Sequence, residues 1–553
     1  MQDLNLTASR RSFIKSAGVA LLGAAALGAT GCAPKTKGEA DLPATGNDAA
    51  EIVDNINWDA TYDVIVVGGG IAGLATAATV ALEGEGKSCL LLEKSANCGG
   101  NSFASSGFCM HAEDAEAVYS TYISGLSGDT NCTPEDVLRA YAQGITENVQ
   151  WAKDLGGEPY MSVFPIGWAD DESRTNQIPE YPEIEGAELQ GAFKFNGGED
   201  GTGPTHIAVF LQNYVREHAD VIDYKLSTPM TALVQDPATG TILGVVADDG
   251  GNKYYKATGG VVMCTGGFEN DPEYLEQYMG MQGVTPAAAL ENTADGHRAC
   301  QKAGAALWHM HGGACFWLAP RNLDNTQFTQ TQQTGLTKEF GITVGVNGRR
   351  FYNDWDACAA GDVLPIGGNL ATNVGYRHGQ TQWGGRWIHL QLPPKAWFVF
   401  DAAGLAAGAL PEGLTSDPVA DGWAHSAATL EELAGKIEVP AEELVKTVNQ
   451  WNEFCERGED LAFYRPSNHM TPVASGPFYA MLCTPTLLNT DGGPVHDAEA
   501  RILDPYGDPI PHLYSAGEFG SIWGAMYQGT GNIGECCVFG RIAARGAMAN
   551  ASA

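Results

Sequence analysis

A chain of 553 residues, 44% of them hydrophobic, has room for about two or three domains around a sizeable core. Its formal net charge of −35 argues against nucleic acid and against an anionic lipid surface as partners. Seventy glycines fit a turn-rich protein in which strands and helices alternate.

The first 32 residues read as an address. Ser9-Arg10-Arg11-Ser12-Phe13-Ile14-Lys15 is a twin-arginine pattern, and the apolar stretch Ala17 to Ala29 follows it. A stable membrane span takes about 18 or more continuous apolar residues, so this stretch is too short for one. It ends in Ala29-Thr30-Gly31-Cys32, which resembles a lipoprotein cleavage box with Ala29 where Leu is usual. The expectation is export of the folded protein by the twin-arginine route. Lipidation of Cys32 would then hold it on the outer face of the cytoplasmic membrane. Residues 33–57, rich in Ala, Asp, Lys and Thr, read as a linker.

Asp63-Val-Ile-Val-Val67 is an apolar β-branched run that stops at Gly68-x-Gly70-x-x-Gly73. An Ala-rich helix follows, and a second apolar run, Leu90-Leu-Leu92, ends in Glu93. That is a complete βαβ dinucleotide unit. Gly68 allows the tight turn, Gly70 lets the backbone approach a pyrophosphate, and Gly73 lets helix and strand pack closely. Glu93, about 20 residues on, is placed to bind a ribose hydroxyl.

Thr133-Pro134-Glu135-Asp136 reads as an N-cap, a first-turn proline and two first-turn acids, opening a helix to about Leu155. Residues 160–205 are irregular. Thr231–Gln235, Ile242–Ala247 and Lys253–Ala257 read as a β-meander that feeds a separate buried strand, Gly260–Cys264. Six of the twelve tryptophans (308, 317, 355, 383, 387 and 397) fall in or beside the first part of residues 313–488. Pro440 to Glu456 is an amphipathic helix with Leu444, Val448, Trp451 and Cys455 on one stripe, a core face. The dinucleotide theme returns at Leu513–Glu518, and a last helix runs from about Asn532 to Ala549. The fold class is α/β: a Rossmann-like cofactor domain split in sequence (58–312 and 489–553), with an inserted α+β capping domain (313–488). Thirteen cysteines include no CxxC pair, so no metal site is expected.

Cys98-Gly-Gly-Asn-Ser102, Ser105-Ser-Gly107, Thr265-Gly-Gly-Phe268, Asp295-Gly296, Asn347-Gly-Arg-Arg-Phe-Tyr-Asn353 and Ala516-Gly-Glu518 stand in this order along the chain. Together they resemble the flavoprotein subunits of the fumarate reductase and succinate dehydrogenase family. The resemblance implies FAD as cofactor, lined by Ala72, Glu93, Asn101, Ser102, Ser106, Gly107, Val234, Asp295, Glu518, Asn532 and Ile533. Covalent members carry a histidine in the Gly-Gly-Asn-Ser region; residues 95–107 hold none, so noncovalent FAD is expected.

The departures bear on the substrate. Where relatives acting on fumarate clamp two carboxylates with arginine and histidine, this chain has Tyr527 and Leu488-Asn489, and where they deliver a proton from an arginine it has Cys358. A small dianion loses its charge partners there. Tyr527-Gln-Gly-Thr-Gly531 instead resembles the Tyr-x-x-x-Gly signature of the 3-ketosteroid dehydrogenase branch. In that branch the phenol and the glycine amide both bind a ketone oxygen, as an oxyanion hole does. Tyr527 packed only as a lid over the flavin is the plainer reading of the same residue, and ordinary core accounts for the tryptophans equally well.

The function expected is reduction of a C=C conjugated to a carbonyl in an apolar, aromatic or steroid-like substrate, with Tyr527 and Gly531 as catalytic residues. Tyr352 or Tyr376 is a candidate proton donor. A separate cytochrome or similar carrier would supply electrons, since the chain has no haem motif. The alternatives are a ketosteroid-type 1,2-dehydrogenase and a flavin relay without small-molecule turnover.

Overall fold

A computed structural model of the chain describes residues 56–127, 133–164, 184–286, 288–314, 317–324, 340–351, 393–410, 414–524 and 527–551. Strand β1 (Ala60–Val67) carries Val64, Ile65 and Val66 at 0% exposure, as a strand covered on both faces must. Its neighbour β2 (Cys89–Leu92) is parallel, with Val64 opposite Cys89. Parallel neighbours need a crossover, and helix α1 (Ile71–Glu83) supplies it.

Helix α2 (Glu135–Asp154) forms where expected, but its N-cap is Pro134. The Thr133 hydroxyl donates instead to the Ile522 carbonyl at 2.9 Å, because a tertiary acceptor is within its reach. Helix α3 (Ile207–Glu217) leads to β3 (Ile222–Lys225), which extends the sheet beyond β2. The meander is β4 (Met230–Gln235), β5 (Ile242–Asp248) and the first half of β6 (Asn252–Met263). The two strands expected at 253–257 and 260–264 are this one strand. Its first half pairs with both β5 and β1, and its second half continues along β1. Gly259 permits the close approach there: a Cβ on it would lie 2.1 Å from the Ala547 carbonyl oxygen.

After helix α4 (Asp295–Lys302) the chain enters a second sheet. There β7 (Gly341–Gly345) and β8 (Ala396–Asp401) pair antiparallel, and helix α5 (Ala441–Arg457) precedes β9 (Phe478–Leu487), which pairs with β8. Ile342, Val344, Trp397 and Val399 pack there against Leu444, Val448 and Trp451 of α5, while Cys455 is half-buried. The short strand Thr285–Pro286 also joins β9, so this six-stranded sheet recruits residues ahead of position 313.

The chain then returns. β10 (Arg501–Leu503) and β11 (Pro509–Ser515) complete the first sheet, with β11 parallel to β6, in the order β10-β11-β6-β1-β2-β3. Helix α6 (Gly531–Asn550) is buried along most of its length. It lies close to α1 because Gly540 has no side chain; a Cβ there would sit 3.2 Å from that of Ala75. Among the described residues no helix is long and apolar enough to cross a membrane.

Candidate active site

In an open parallel sheet ligands collect at the carboxyl ends of the strands, where the connections diverge to opposite faces. Here that point lies where β1 ends at Gly68 and β6 ends beside Cys264. Gly68 has φ of +106°, and a Cβ on it would meet the Cys264 carbonyl oxygen at 2.2 Å. A Cβ on Gly73 would lie 1.8 Å from the Gly68 carbonyl oxygen. Gly70, by contrast, has only the Ser102 Oγ at 3.4 Å and the Gly99 carbonyl oxygen at 3.8 Å, leaving its face open. As N-cap of α1 it offers no side-chain acceptor, so the dipole end of the helix is left for an anion.

Glu93 ends β2 with its carboxylate turned back to this turn. Its two oxygens accept from the Gly69 and Ser95 amides, each at 2.7 Å. Burial pushes its pKa above the ordinary carboxylate value, against the pull of those two donors. Ser102 Oγ accepts from the Ile71 amide at 3.0 Å, tying the 98–102 loop to the start of α1.

These elements line a cavity of about 750 Å³. Of the residues expected to hold a flavin, Gly68, Gly70, Ala72, Glu93, Asn101 and Ser102 line it. Ser106, Asp295, Glu518, Asn532 and Ile533 line it as well. Gly73, Gly107 and Val234 do not. Gly73 acts in the packing of α1, and the space beside Gly107 is filled by the His206 ring, 2.7 Å from where a Cβ would be. Val234 lies inside the meander opposite Gly244; on that segment it is Thr228 and Met230 that reach the cavity.

The lining fits a polar, extended cofactor. Thr265 Oγ1, Thr530 Oγ1 and Asn532 Nδ2 are buried there without a hydrogen-bond partner among the described residues, and such groups are destabilising unless a ligand completes them. Asp295 pairs with Lys94 at 2.6 Å across the nucleotide end, at half-exposed positions.

Tyr527 is buried and lines the same cavity, beside the start of α6. Next to it the Tyr122 hydroxyl donates to Gln528 Oε1, and the Tyr141 hydroxyl donates to the Gly531 carbonyl at 3.1 Å. Trp523 fills the space a side chain on Gly531 would need, at 2.6 Å. The Gly531 amide donates to the Gln528 carbonyl at 2.9 Å, and Gly531 does not line the cavity. In this structure Tyr527 therefore lines the cavity, whereas the Gly531 amide is held inside the 528–531 turn.

Lys94 and Arg216 are the cationic side chains lining the cavity among the described residues, and both sit at the Glu93 end. Trp308 donates its indole N–H to the Gly520 carbonyl at 3.2 Å, and Trp397 packs in the second sheet; neither lines the cavity. Cys32, Tyr352, Cys358 and Tyr376 lie outside the described residues.

Three buried acids near the cavity escaped the sequence reading. Glu269 is 1% exposed, and Asp491 and Glu535 are each 0% exposed. Glu535 accepts from the Ile522 amide at 2.8 Å and the Ser521 hydroxyl at 2.7 Å, holding residues 521 and 522. Burial pushes its carboxyl well above the usual range. For Glu269 the signal was available, since it directly follows Thr265–Phe268.

A family model described as "FAD binding domain" matches residues 63–533. The digoxin reductase of Eggerthella lenta is 28% identical, over 98% of this chain and 97% of its own length. The 4-oxocyclohexanecarboxylate 2-dehydrogenase of Sinomonas cyclohexanicum is 28% identical, over 88% of this chain and 92% of its own. The crystal structure of 3-ketosteroid delta1-dehydrogenase from Sterolibacterium denitrificans, in complex with 1,4-androstadiene-3,17-dione, shares the fold. It matches with a TM-score of 0.66 at 21% identity, covering 88% of this chain and 99% of that one.

Proposed function

The chain belongs to the FAD binding domain family, within the fumarate reductase and succinate dehydrogenase flavoproteins, and on that premise we propose that it reduces a C=C bond conjugated to an uncharged carbonyl. Its cofactor is FAD, and it is a flavin oxidoreductase acting on CH–CH groups. The observation that carries the substrate class is Tyr527 in the flavin cavity, whose cationic lining among the described residues is Lys94 and Arg216, beside Glu93 and Cys98.

When bound, FAD supplies the hydride for the carbon β to the carbonyl. The chain's part is to hold the carbonyl and to stabilise the charge that develops on its oxygen. The Tyr527 hydroxyl donates to that oxygen, and burial strengthens the interaction as negative charge accumulates. The Gly531 amide joins it only if the substrate oxygen displaces or shares the Gln528 carbonyl, so the 528–531 turn adjusts on binding. A proton must then reach the α-carbon; Tyr352 and Tyr376 remain the candidates from the sequence. The reductive direction agrees with an exported protein served by a separate electron carrier, which we propose together with the lipid anchor at Cys32.

The test uses dithionite-reduced holoprotein under anaerobic conditions, mixed with enones, aryl acrylates and fumarate. Rapid flavin reoxidation by an enone is the expected result. Reoxidation by fumarate alone would overturn the reading. Dehydrogenation of a saturated ketone is the second reading, favoured by the dehydrogenase among the relatives. Flavin bleaching by a saturated ketone, without reoxidation by enones, would establish it.

A further inference from the structure

Behind the flavin cavity, Glu269 and Glu518 share a single amide. Asn101 Nδ2 donates to Glu269 Oε1 at 2.6 Å and stands 3.2 and 3.4 Å from the two Glu518 oxygens. It also stands 3.0 Å from the Leu488 carbonyl, so three acceptor groups compete for two hydrogens. Asn292 Nδ2 donates to Glu269 Oε1 at 2.5 Å, and Thr490 Oγ1 lies 3.5 Å from Glu269 Oε2. The two carboxyls face one another across Gly267. A Cβ there would lie 2.5 Å from Glu269 Oε2 and 3.1 Å from Glu518 Oε1.

Among the described residues neither carboxyl forms an ion pair, and the charged groups that act most on Glu518 besides Glu269 are Asp491 and Glu535, acids as well. Two facing carboxylates in a low-dielectric site cannot both ionise near neutrality. Burial pushes Glu269 up to about 7, and burial together with Glu269 pushes Glu518 above the usual carboxylate range. Glu269 is sealed from solvent, while the partial exposure of Glu518 is toward the cavity it lines.

We propose that the Glu269–Glu518 pair is a proton store linked to the flavin: it holds one proton beside the oxidised cofactor and takes a second from solvent on reduction. The balance is simple. Two electrons and one proton enter the ring, leaving it negatively charged. That charge beside Glu518 raises the pair's proton affinity, and one O–H bond forms on a carboxylate. Reoxidation returns the proton. The proposal rests on the flavin site alone and not on the enone reading, so a failed substrate screen leaves it standing.

The test is spectroelectrochemical titration of the holoprotein across the neutral range, without substrate. In the native protein the midpoint potential falls with pH at two protons per two electrons. Glu269→Gln halves that slope while retaining FAD. Equal slopes in the two proteins overturn the proposal. A reduced-minus-oxidised infrared difference spectrum of the native protein needs no variant. A carboxylic acid C=O band gained on reduction is the expected result. Absence of that band overturns the proposal even if Glu269→Gln fails to hold flavin, because the second proton then sits on the ring or elsewhere.

Discussion

The two ends of the flavin cavity are built from different materials. At the Glu93 end the geometry is set by backbone amides and by missing side chains: Gly68, Gly70 and Gly73 each leave a space that the turn, a ligand or α1 must use. At the Tyr527 end it is set by side chains that several distant segments bring together, among them Tyr122, Tyr141, Trp523 and Glu535. The first end is local in sequence and tolerates almost no change of shape. The second depends on tertiary contacts and can change its chemistry while the fold stays the same.

The largest effect falls at the glycine end. In Gly73→Ala the new methyl would sit 1.8 Å from the Gly68 carbonyl oxygen, and backbone cannot yield as a flexible side chain does. Overpacking of this kind costs about 1–3 kcal/mol or more, so the variant should purify without flavin absorbance, if it folds at all. A yellow, stable Gly73→Ala protein would break the contrast between the two ends.

At the other end, Tyr527→Phe should keep its FAD and its fold. Losing one oxyanion donor lowers kcat by roughly 10²–10³, about 3–4 kcal/mol of barrier, and steady-state turnover of an enone reads it. Full activity in that variant would take Tyr527 out of the reaction and leave it as packing.

Glu269 sharpens the comparison through pH. Burial raises its folded-state pKa to about 7 from an ordinary 4.5. The unfolded chain releases this proton as pH passes 4.5, whereas the folded protein holds it until about 7. Stability is therefore highest below that window, falls as pH rises through it, and stays lower above it. Glutamine does not titrate, so the Tm of Glu269→Gln holoprotein should gain on the native protein as pH rises, by up to about 3 kcal/mol of stability. A gap that shrinks with rising pH would refute the assignment.

The smallest effect has the opposite sign. Gly435 is exposed in a helix of the second sheet's layer, Leu430–Ile437, and a Cβ on it would have no atom within 4 Å. Gly435→Ala should raise Tm by the equivalent of about 0.5–1 kcal/mol and leave flavin content unchanged.

Particular residues show what was legible beforehand. The βαβ unit was readable because its glycines answer steric demands made within a short stretch, and the stripe of α5 because helical period and burial coincide. Three features were not. The meander's last strand and the buried strand form the single β6 only because β5, β1 and β11 pair along it. Thr133 turns from its helix to the Ile522 carbonyl, an acceptor from the far end of the chain. Val234 matches the family position but sits opposite Gly244, off the cavity.

Sequence by itself determined the dinucleotide turn, the acid that closes it and the split of the cofactor domain. These follow from local sterics and hydrophobic period. The tertiary structure decided which carboxyls face each other, where the Gly531 amide points and which side chains reach the cavity. Those outcomes depend on burial and on hydrogen-bond partners from remote segments, and no local pattern encodes them.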